Sequence, residues 1–353
     1  GVIMFLSKLD SLANGIKLVI DHQRIRKVEE IPLSEAHNRV LAEDIMAFHH
    51  SPPFDKSAMD GFALIAENTF GASQSAPKEF KVIDAIGAGD FSSKTVGENE
   101  AIVIATGAPI PDGANAVLMK EYTTVDDDKL TIYSQVTPGE NISPKSEDIK
   151  KGQKVLDKHT FIRYQELGLI ASAGYDKVKV FKKPRVKVII TGNELVEPTK
   201  EEIDKAKIIN SNQYTVSAMV EDSGAICDIT HAGDTFDEVK EAILEASNDY
   251  DVIITTGGTA ISKGDVVLDV VDDLGEILFH GVAVRPGKPV GAGVVNDKMV
   301  FTLSGQPVAS MSQFDMVARK YLFEMQGRSF DLHLQKRVSE LKIPSQLGRT
   351  DFI

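Results

Sequence analysis

The stretch DVIITTGGTAISKGDVVLDVVDDLG, Asp251–Gly275, decides the architecture. Val252 to Thr256 run without apolar–polar alternation, the pattern of a strand buried on both faces. Gly257 and Gly258 then break the run, Thr259 and Ser262 supply hydroxyls, and Asp265 stands just ahead of an amphipathic stretch that stops at Gly275. Strand, glycine turn and capped helix in that order form one repeat of an alternating α/β domain. The neighbouring segments repeat it. PRVKVIITG (184–192), AICDITHAG (225–233) and KMVFT (298–302) read as strands. NQYTVSAMVEDSG (212–224) reads as a helix ending at Gly224, and DTFDEVKEAILEASNDY (234–250) as a helix with Asp234 as cap and Phe236, Val239 and Ile243 on one face. Residues 181–328 are therefore expected to form a central three-layer α/β/α domain with a mostly parallel sheet.

The rest of the chain has a different texture. Residues 4–48 read as helical: Leu6, Leu9, Leu12 and Ile16 recur at three- and four-residue steps, and Ser34 can cap a second run through Ala36, Val40 and Leu41. From 51 to 136 the short runs FKVIDAI, AIVIATG, AVLMKEY and KLTIYSQV alternate with turn clusters such as PIPDGAN and VDDDK, which predicts a small β domain. Residues 138–176 read as a loop and then a helix ending at Gly174. Together, 1–50 and 137–180 are expected to form a discontinuous, elongated N-terminal domain. Residues 329–353 hold a single strand-like run, ELKIP, which cannot bury a core alone.

With 42% hydrophobic and 26% charged residues the composition is that of a globular protein. A net charge of −13 argues against a sequence-independent grip on nucleic acid, which needs clustered positive charge. Cys227, the only cysteine, excludes an intrachain disulfide framework and a multi-thiolate metal site, and suits a reducing compartment. No segment approaches the ~20 apolar residues of a membrane span. The N-terminus lacks the basic flank and cleavage site of a secretory signal. A cytoplasmic location is the expectation. The eight histidines are scattered, and His49-His50 has the wrong spacing for a helical zinc site.

In an open parallel sheet, ligands sit at the carboxyl ends of the strands. Here those loops are TGNEL, with Glu194, and TTGGTAISKGD, with Thr256 through Asp265. Close backbone approach at paired glycines, flanked by hydroxyls, suits a phosphate-containing ligand. It is not a Walker loop, and neither GAGDFS nor GAGVVN completes a dinucleotide fingerprint. No G-x-S-x-G elbow is present. RPGKPVGAG holds Arg285 and Lys288 between prolines, either as a rigid oxyanion site or as solvated charges. LSGQPVAS, with Ser304 and Gly305, can turn backbone N–H groups toward an anion. Asp60, Asp148, Glu194, Asp234 and Asp265 are the acidic candidates; beside a phosphate loop such carboxylates can hold Mg²⁺. Taken singly, Asp60 is also a turn residue, Asp234 an N-cap and Asp148 a surface charge.

These motifs resemble the MoeA family of molybdopterin molybdenumtransferases, to which the E domain of gephyrin is related. The matching segments are PPFDKSAMDGFA (52–63), ATGAPIPDGANAV (105–117), PGENISPKSEDI (138–149), TGNEL (191–195), NSNQY (210–214), TTGGTAISKGD (255–265), VAVRPGKP (282–289) and LSGQPVAS (303–310), in family order over nearly the whole chain. The resemblance implies a MoaB/Mog-like central domain and, at residues 329–353, the start of a C-terminal β-barrel domain that is largely absent. It also implies a reaction in which adenylated molybdopterin and molybdate (or tungstate) are joined, with Mg²⁺-dependent cleavage of the adenylate and release of AMP. By the same resemblance Thr256 to Ser262 hold pterin and phosphate, and Asp234 and Asp265 support Mg²⁺. Asp60, Thr106, Asp148 and Glu194 line the cleft, partly from the second subunit of a homodimer; Arg285, Lys288, Ser304 and Gly305 hold the oxyanion. The preceding molybdopterin adenylyltransferase is an implied partner. Ser304 stands where the family usually has Pro, Gln306 where it has Asn, Ala309 where Ser is common, and Arg285 where Lys is frequent. The alternative function is a gephyrin-like dimeric scaffold without turnover. Neighbours that share only the α/β domain, an adenylyltransferase or a competence-damage-type nucleotide amidase, lack PPFDKSAMDGFA. Within that segment Asp55 and Ser57 either touch ligand or hold the loop in shape.

Overall fold

The structure, a computed structural model, describes residues 9–22, 26–257, 265–329 and 350–351. The chain divides into two compact units, one made of 44–158 and 163–177, the other of 1–43, 159–162 and 178–353.

The first of these units is built on a six-stranded sheet. Its strands are Gly61–Leu64 (β1), Lys78–Ile86 (β2), Glu100–Ile104 (β3), Ala116–Met119 (β4), Thr123–Asp126 (β5) and Lys129–Ile132 (β6), in the spatial order β4-β1-β3-β2-β6-β5. All neighbours are antiparallel except β2 and β3. Successive side chains of β1 leave the sheet on opposite faces, so Phe62 and Leu64 enter one apolar cluster and Ala63 the other. The register places Gly61 opposite both Ile104 and Met119, which gathers the chain just before β1, just after β3 and just after β4 at one end of the sheet. In the same unit the helix Tyr164–Ala173 (α1) ends at Gly174, whose φ of 102° is the left-handed conformation expected of a glycine stop.

The other unit contains the α/β sheet: Arg185–Thr191 (β7), Ile226–Ala232 (β8), Val252–Thr256 (β9), Gly275–His280 (β10), Gly291–Val295 (β11) and Lys298–Leu303 (β12), ordered β8-β7-β9-β12-β11-β10. The first four are parallel; β11 and β10 continue antiparallel. Val186, Val188 and Ile190 of β7 pack with Val216 and Val220 of the helix Asn212–Asp222 (α2) and with Phe314 and Tyr321. Ile189 faces the other way, toward Val239 and Ile243 of Phe236–Asp249 (α3) and Val267 and Val270 of Val266–Leu274 (α4). Both faces of the central strands are thus covered, which is why those strands carry unbroken apolar runs. Each fully buried Val or Ile contributes about 1.5–3 kcal/mol.

The helical expectation for 4–48 is corrected. Leu12–Asp21 is a helix capped by Ser11, but Val28–Pro32 is a strand and Ser34 sits in a single 3-10 turn. Val40 bridges Phe161, and Leu41 bridges Val180. Asn38 at φ 61° interrupts any helix there, and the buried Val40 and Leu41 gain sheet partners that a local reading does not see. ELKIP lies outside the described residues. None of the described helices is long and apolar enough to cross a membrane.

Candidate functional site

Three strand ends of the α/β sheet are tied to one another. Thr191 at the end of β7 donates its hydroxyl to the Thr256 carbonyl at 3.2 Å, and the Gly257 N–H donates to the Leu303 carbonyl at 3.1 Å. Gly257 has φ 94°, and a Cβ there would stand 2.4 Å from the Thr191 carbonyl oxygen, so only glycine fits. A Cβ at Gly305 meets nothing closer than the Gly257 Cα at 3.6 Å. The carboxyl ends of these strands border a cavity of about 390 Å³ whose walls include Thr191, Glu194, Asn210, Asn212, Gly257 and Gly305. Of the predicted ligand-loop residues, Gly258, Thr259 and Ser262 lie outside the described residues.

Asp234 is not the cap of α3. Thr235 takes that role: its hydroxyl accepts from the Glu238 N–H, and the Glu238 carboxylate accepts from the Thr235 N–H, a reciprocal capping box. Released from capping, the Asp234 carboxylate accepts from the Asn193 N–H at 3.0 Å and ties the loop after β8 to the loop that carries Glu194.

Asp265 does cap α4, its Oδ1 accepting from the Leu268 N–H at 3.2 Å. Its Oδ2 is buried without a hydrogen-bond partner among the described residues. Burial pushes the Asp265 carboxyl up to about 6. His280 Nε2 lies 3.8 Å from that oxygen, beyond hydrogen-bond reach, and burial lowers the imidazole's affinity for a proton, so the contact is not that of a formed ion pair. Among the described residues no group of three His, Cys, Asp or Glu side chains could hold a metal unaided. A lone buried carboxylate oxygen nevertheless fits Mg²⁺, which takes one or two carboxylates and completes its octahedron with water and substrate phosphate.

Arg285 and Lys288 are both exposed, and the loop between them is anchored from below. Gln313, fully buried at the end of the helix Pro307–Gln313, donates Nε2 to the Gly287 carbonyl at 3.0 Å and to Ser304 Oγ at 2.9 Å. Its Oε1 accepts from the Ser304 N–H at 2.7 Å. One amide therefore joins the RPGK loop to the LSGQ loop. It also satisfies the N–H and hydroxyl that Ser304 presents in place of proline. The helix widens into a π turn, Phe314–Ala318, directly after Gln313. Sequence reading passed over Gln313; a lone amide entering the apolar run FDMVARKYLF was the available signal.

The second set of candidates belongs to the other unit. The end of the β4-β1-β3 sheet gathers Asp60, Thr106 and Lys120 as the register requires. Asp60 Oδ1 accepts from the Thr106 N–H and hydroxyl, both at 2.8 Å, and Oδ2 lies 3.4 Å from Lys120 Nζ. These contacts, the Thr106 N–H foremost, hold the exposed Asp60 carboxyl below its usual range. Asp148 is exposed, and its N–H donates to the Ser51 carbonyl at 3.0 Å. Asp55 and Ser57 have structural work: Asp55 Oδ1 accepts from the Lys145 N–H at 2.7 Å, and the buried Ser57 hydroxyl donates to the Met59 carbonyl at 2.6 Å.

Comparison with known proteins finds two family models, one for each half of the chain. The family model for the MoeA N-terminal region (domain I and II) matches residues 10–174, and that for a "Probable molybdopterin binding domain" matches 187–324. A Methanocaldococcus jannaschii protein is 40% identical over 338 residues, 93% of this chain and 80% of its own. The molybdopterin molybdenumtransferase of Staphylococcus aureus (strain COL) is 38% identical over 315 residues, 89% of this chain and 75% of its own. The crystal structure of the molybdopterin biosynthesis moeA protein from Pyrococcus horikoshii OT3 superposes with TM-score 0.81 at 36% identity, covering 98% of this chain and 86% of that one.

Proposed function

The chain belongs to the MoeA family, and from that premise we propose that it is a molybdopterin molybdenumtransferase acting in molybdenum cofactor biosynthesis. The substrates in this reading are adenylated molybdopterin and molybdate or tungstate. Water adds across the phosphoanhydride, so AMP leaves with its own phosphate and the pterin keeps the other; as the two dithiolene sulfurs take the metal, their protons carry one molybdate oxygen away as water. The observation that carries the reading is Asp265. A carboxylate with one oxygen buried and unpartnered lowers the stability of the folded chain at neutral pH, and a non-catalytic scaffold has no use for it.

Asp265 and Asp234 are the residues that would hold Mg²⁺, which when bound supplies positive charge to the phosphate oxygens of the substrate. The protein's own groups do the positioning. Gly257, whose bare Cα lets a ligand approach the backbone, and the backbone around Gly305 cradle the phosphate. Glu194, held near Asp234 through Asn193, faces the cavity as the acid–base candidate. Arg285 and Lys288, on loops joined by Gln313, take the oxyanion; a rigid cation pair suits a dianion better than two free side chains. Asp60, Thr106 and Asp148 complete the site in this reading, part of it contributed by the second subunit of a homodimer. We assign the reaction to the cytoplasm, next to the adenylyltransferase that makes its substrate.

The test is AMP release from adenylated molybdopterin with Mg²⁺, with and without molybdate. Release by the wild type and its loss in Asp265→Ala is the expected result. An undiminished rate in that variant removes Asp265 from the mechanism, and no release from the wild type removes the assignment.

A further inference from the structure

Two buried amides at the start of α2 are built into the wall of the same cavity, and among the described residues each has a hydrogen bond at only one of its two polar atoms. Asn210 is 2% exposed and Asn212 is 6% exposed. Asn210 Oδ1 accepts from the Gln213 N–H at 3.2 Å, which leaves its Nδ2 as a donor without a partner. Asn212 Nδ2 donates to the Gly305 carbonyl at 2.9 Å, which leaves its Oδ1 as an acceptor without a partner. Neither amide can be turned over. A rotation would set the Asn210 amino group against the Gln213 N–H, and the Asn212 oxygen against the Gly305 carbonyl. The pair therefore has a defined polarity: one donor and one acceptor, two residues apart, beside a cavity of about 390 Å³. A buried amide left without a hydrogen bond is costly, so two of them on one wall are a feature that a bound partner offsets. Ser211, between them, makes no side-chain cap, so this helix start offers no competing internal acceptor from that residue.

We infer that Asn210 and Asn212 recognise the edge of a ligand heterocycle that presents an acceptor beside a donor. The inference rests on the molybdopterin reading above and deepens it. Two rings of the proposed substrate carry such an edge: the 4-oxo and N3–H of the pterin, and the N1 and 6-amino group of the adenine. In either case Asn210 Nδ2 donates to the ring acceptor and Asn212 Oδ1 accepts from the ring donor. These two residues are specificity determinants rather than participants in bond cleavage, because neither amide can gain or lose a proton at neutral pH.

Two isosteric variants separate ligand recognition from folding. Asn210→Asp keeps the oxygen that receives the Gln213 N–H and converts the unpartnered donor into an acceptor. Asn212→Asp keeps the unpartnered acceptor and removes the donor to Gly305. Binding of 6-hydroxymethylpterin and of AMP is measured by calorimetric titration on the wild type and both variants, with thermal unfolding alongside. Asn210→Asp buries an unpartnered carboxylate oxygen and is expected to unfold at a lower temperature at pH 7.5; titrated well below that temperature, the folded variant is expected to lose about tenfold in affinity for one of the two probes, the amount one hydrogen bond supplies. Whichever probe weakens identifies the ring that is read. Asn212→Asp is expected to unfold at a lower temperature and to retain affinity within about threefold. Affinities for both probes unchanged in a folded Asn210→Asp would overturn the inference and leave the proposed function standing. Failure of the wild type to bind either probe would overturn both.

Discussion

Gln313 and Ser304 hold each other through both ends of one amide, with the Ser304 N–H donating to Gln313 Oε1 at 2.7 Å and Gln313 Nε2 donating to Ser304 Oγ at 2.9 Å. The same Nε2 also reaches the Gly287 carbonyl. Three groups on two loops thus depend on one fully buried side chain. Gln313→Leu fills a similar volume and satisfies none of them. It is expected to cost about 1–3 kcal/mol and to lower the unfolding temperature by several degrees. Molybdate affinity should fall with it, because Arg285 and Lys288 sit on either side of Gly287. An unfolding temperature equal to the wild type's would show that these loops do not need the amide.

Gly257 and Gly305 face the same cavity and respond differently to a methyl group. Gly257→Ala must leave φ 94° or collide with the Thr191 carbonyl, so it should lower stability by about 1–3 kcal/mol and abolish turnover. Gly305→Ala meets only ordinary contact and should leave the unfolding temperature within a degree or two. Any loss of AMP release in that variant then reports on how closely the substrate approaches. Equal destabilisation of the two variants would contradict the geometry.

Asp265 makes stability fall as pH rises. Its carboxyl moves from an ordinary value near 3.8 to about 6 in the folded chain, so between those values the folded state binds more protons than the unfolded one. The favourable contribution is complete below pH ~4 and lost through pH ~6, on the order of 2–3 kcal/mol. Asp265→Asn keeps the Oδ1 cap on Leu268 and has no charge to bury. In chelator-treated protein it should unfold at a higher temperature than the wild type at pH 7.5 and at the same temperature near pH 4. Its AMP release should be absent throughout. A pH-independent difference between the two proteins would show that Asp265 ionises without cost.

Asp60 is the opposite case. It is exposed, and its low proton affinity keeps it ionised through the neutral range. Asp60→Ala should leave the unfolding temperature within a degree or two of the wild type's while cutting the rate of AMP release by at least tenfold. Thr106→Val removes the hydroxyl and leaves the backbone N–H in place, so it should be the milder of the two. A normal rate in Asp60→Ala would confine the residue to the turn it also makes.

The extent to which this site could be read in advance differs residue by residue. Asp265 was legible because the signal is local: an Asp ahead of an amphipathic run caps it. Asp234 was read by the same logic and misassigned, since Thr235 is an equally good cap one residue later and only the approach of the Asn193 N–H gives Asp234 another partner. Asn210 and Asn212 are visible in the sequence only as part of NSNQY, and Gln313 only as an amide beside an apolar run; neither signal names a partner. Their meaning lies in Gly305, Ser304 and Gly287, which are distant in the chain.

What the sequence by itself determined is the run of four parallel strands in the α/β unit and the helices between them, and not the antiparallel strands β10 and β11 that extend the sheet. Unbroken apolar strands, glycine turns and capped helices leave few other ways to bury that surface. The motif order over nearly the whole chain likewise determined the family. What only the tertiary structure decided is where short, ambiguous segments go and which polar groups are left over. Val40 and Leu41 take strand partners at Phe161 and Val180, and no local propensity names those partners. The unpartnered oxygen of Asp265 and the half-used amides of Asn210 and Asn212 exist only because folding buries them, and burial is a property of the whole packing rather than of any window of the chain.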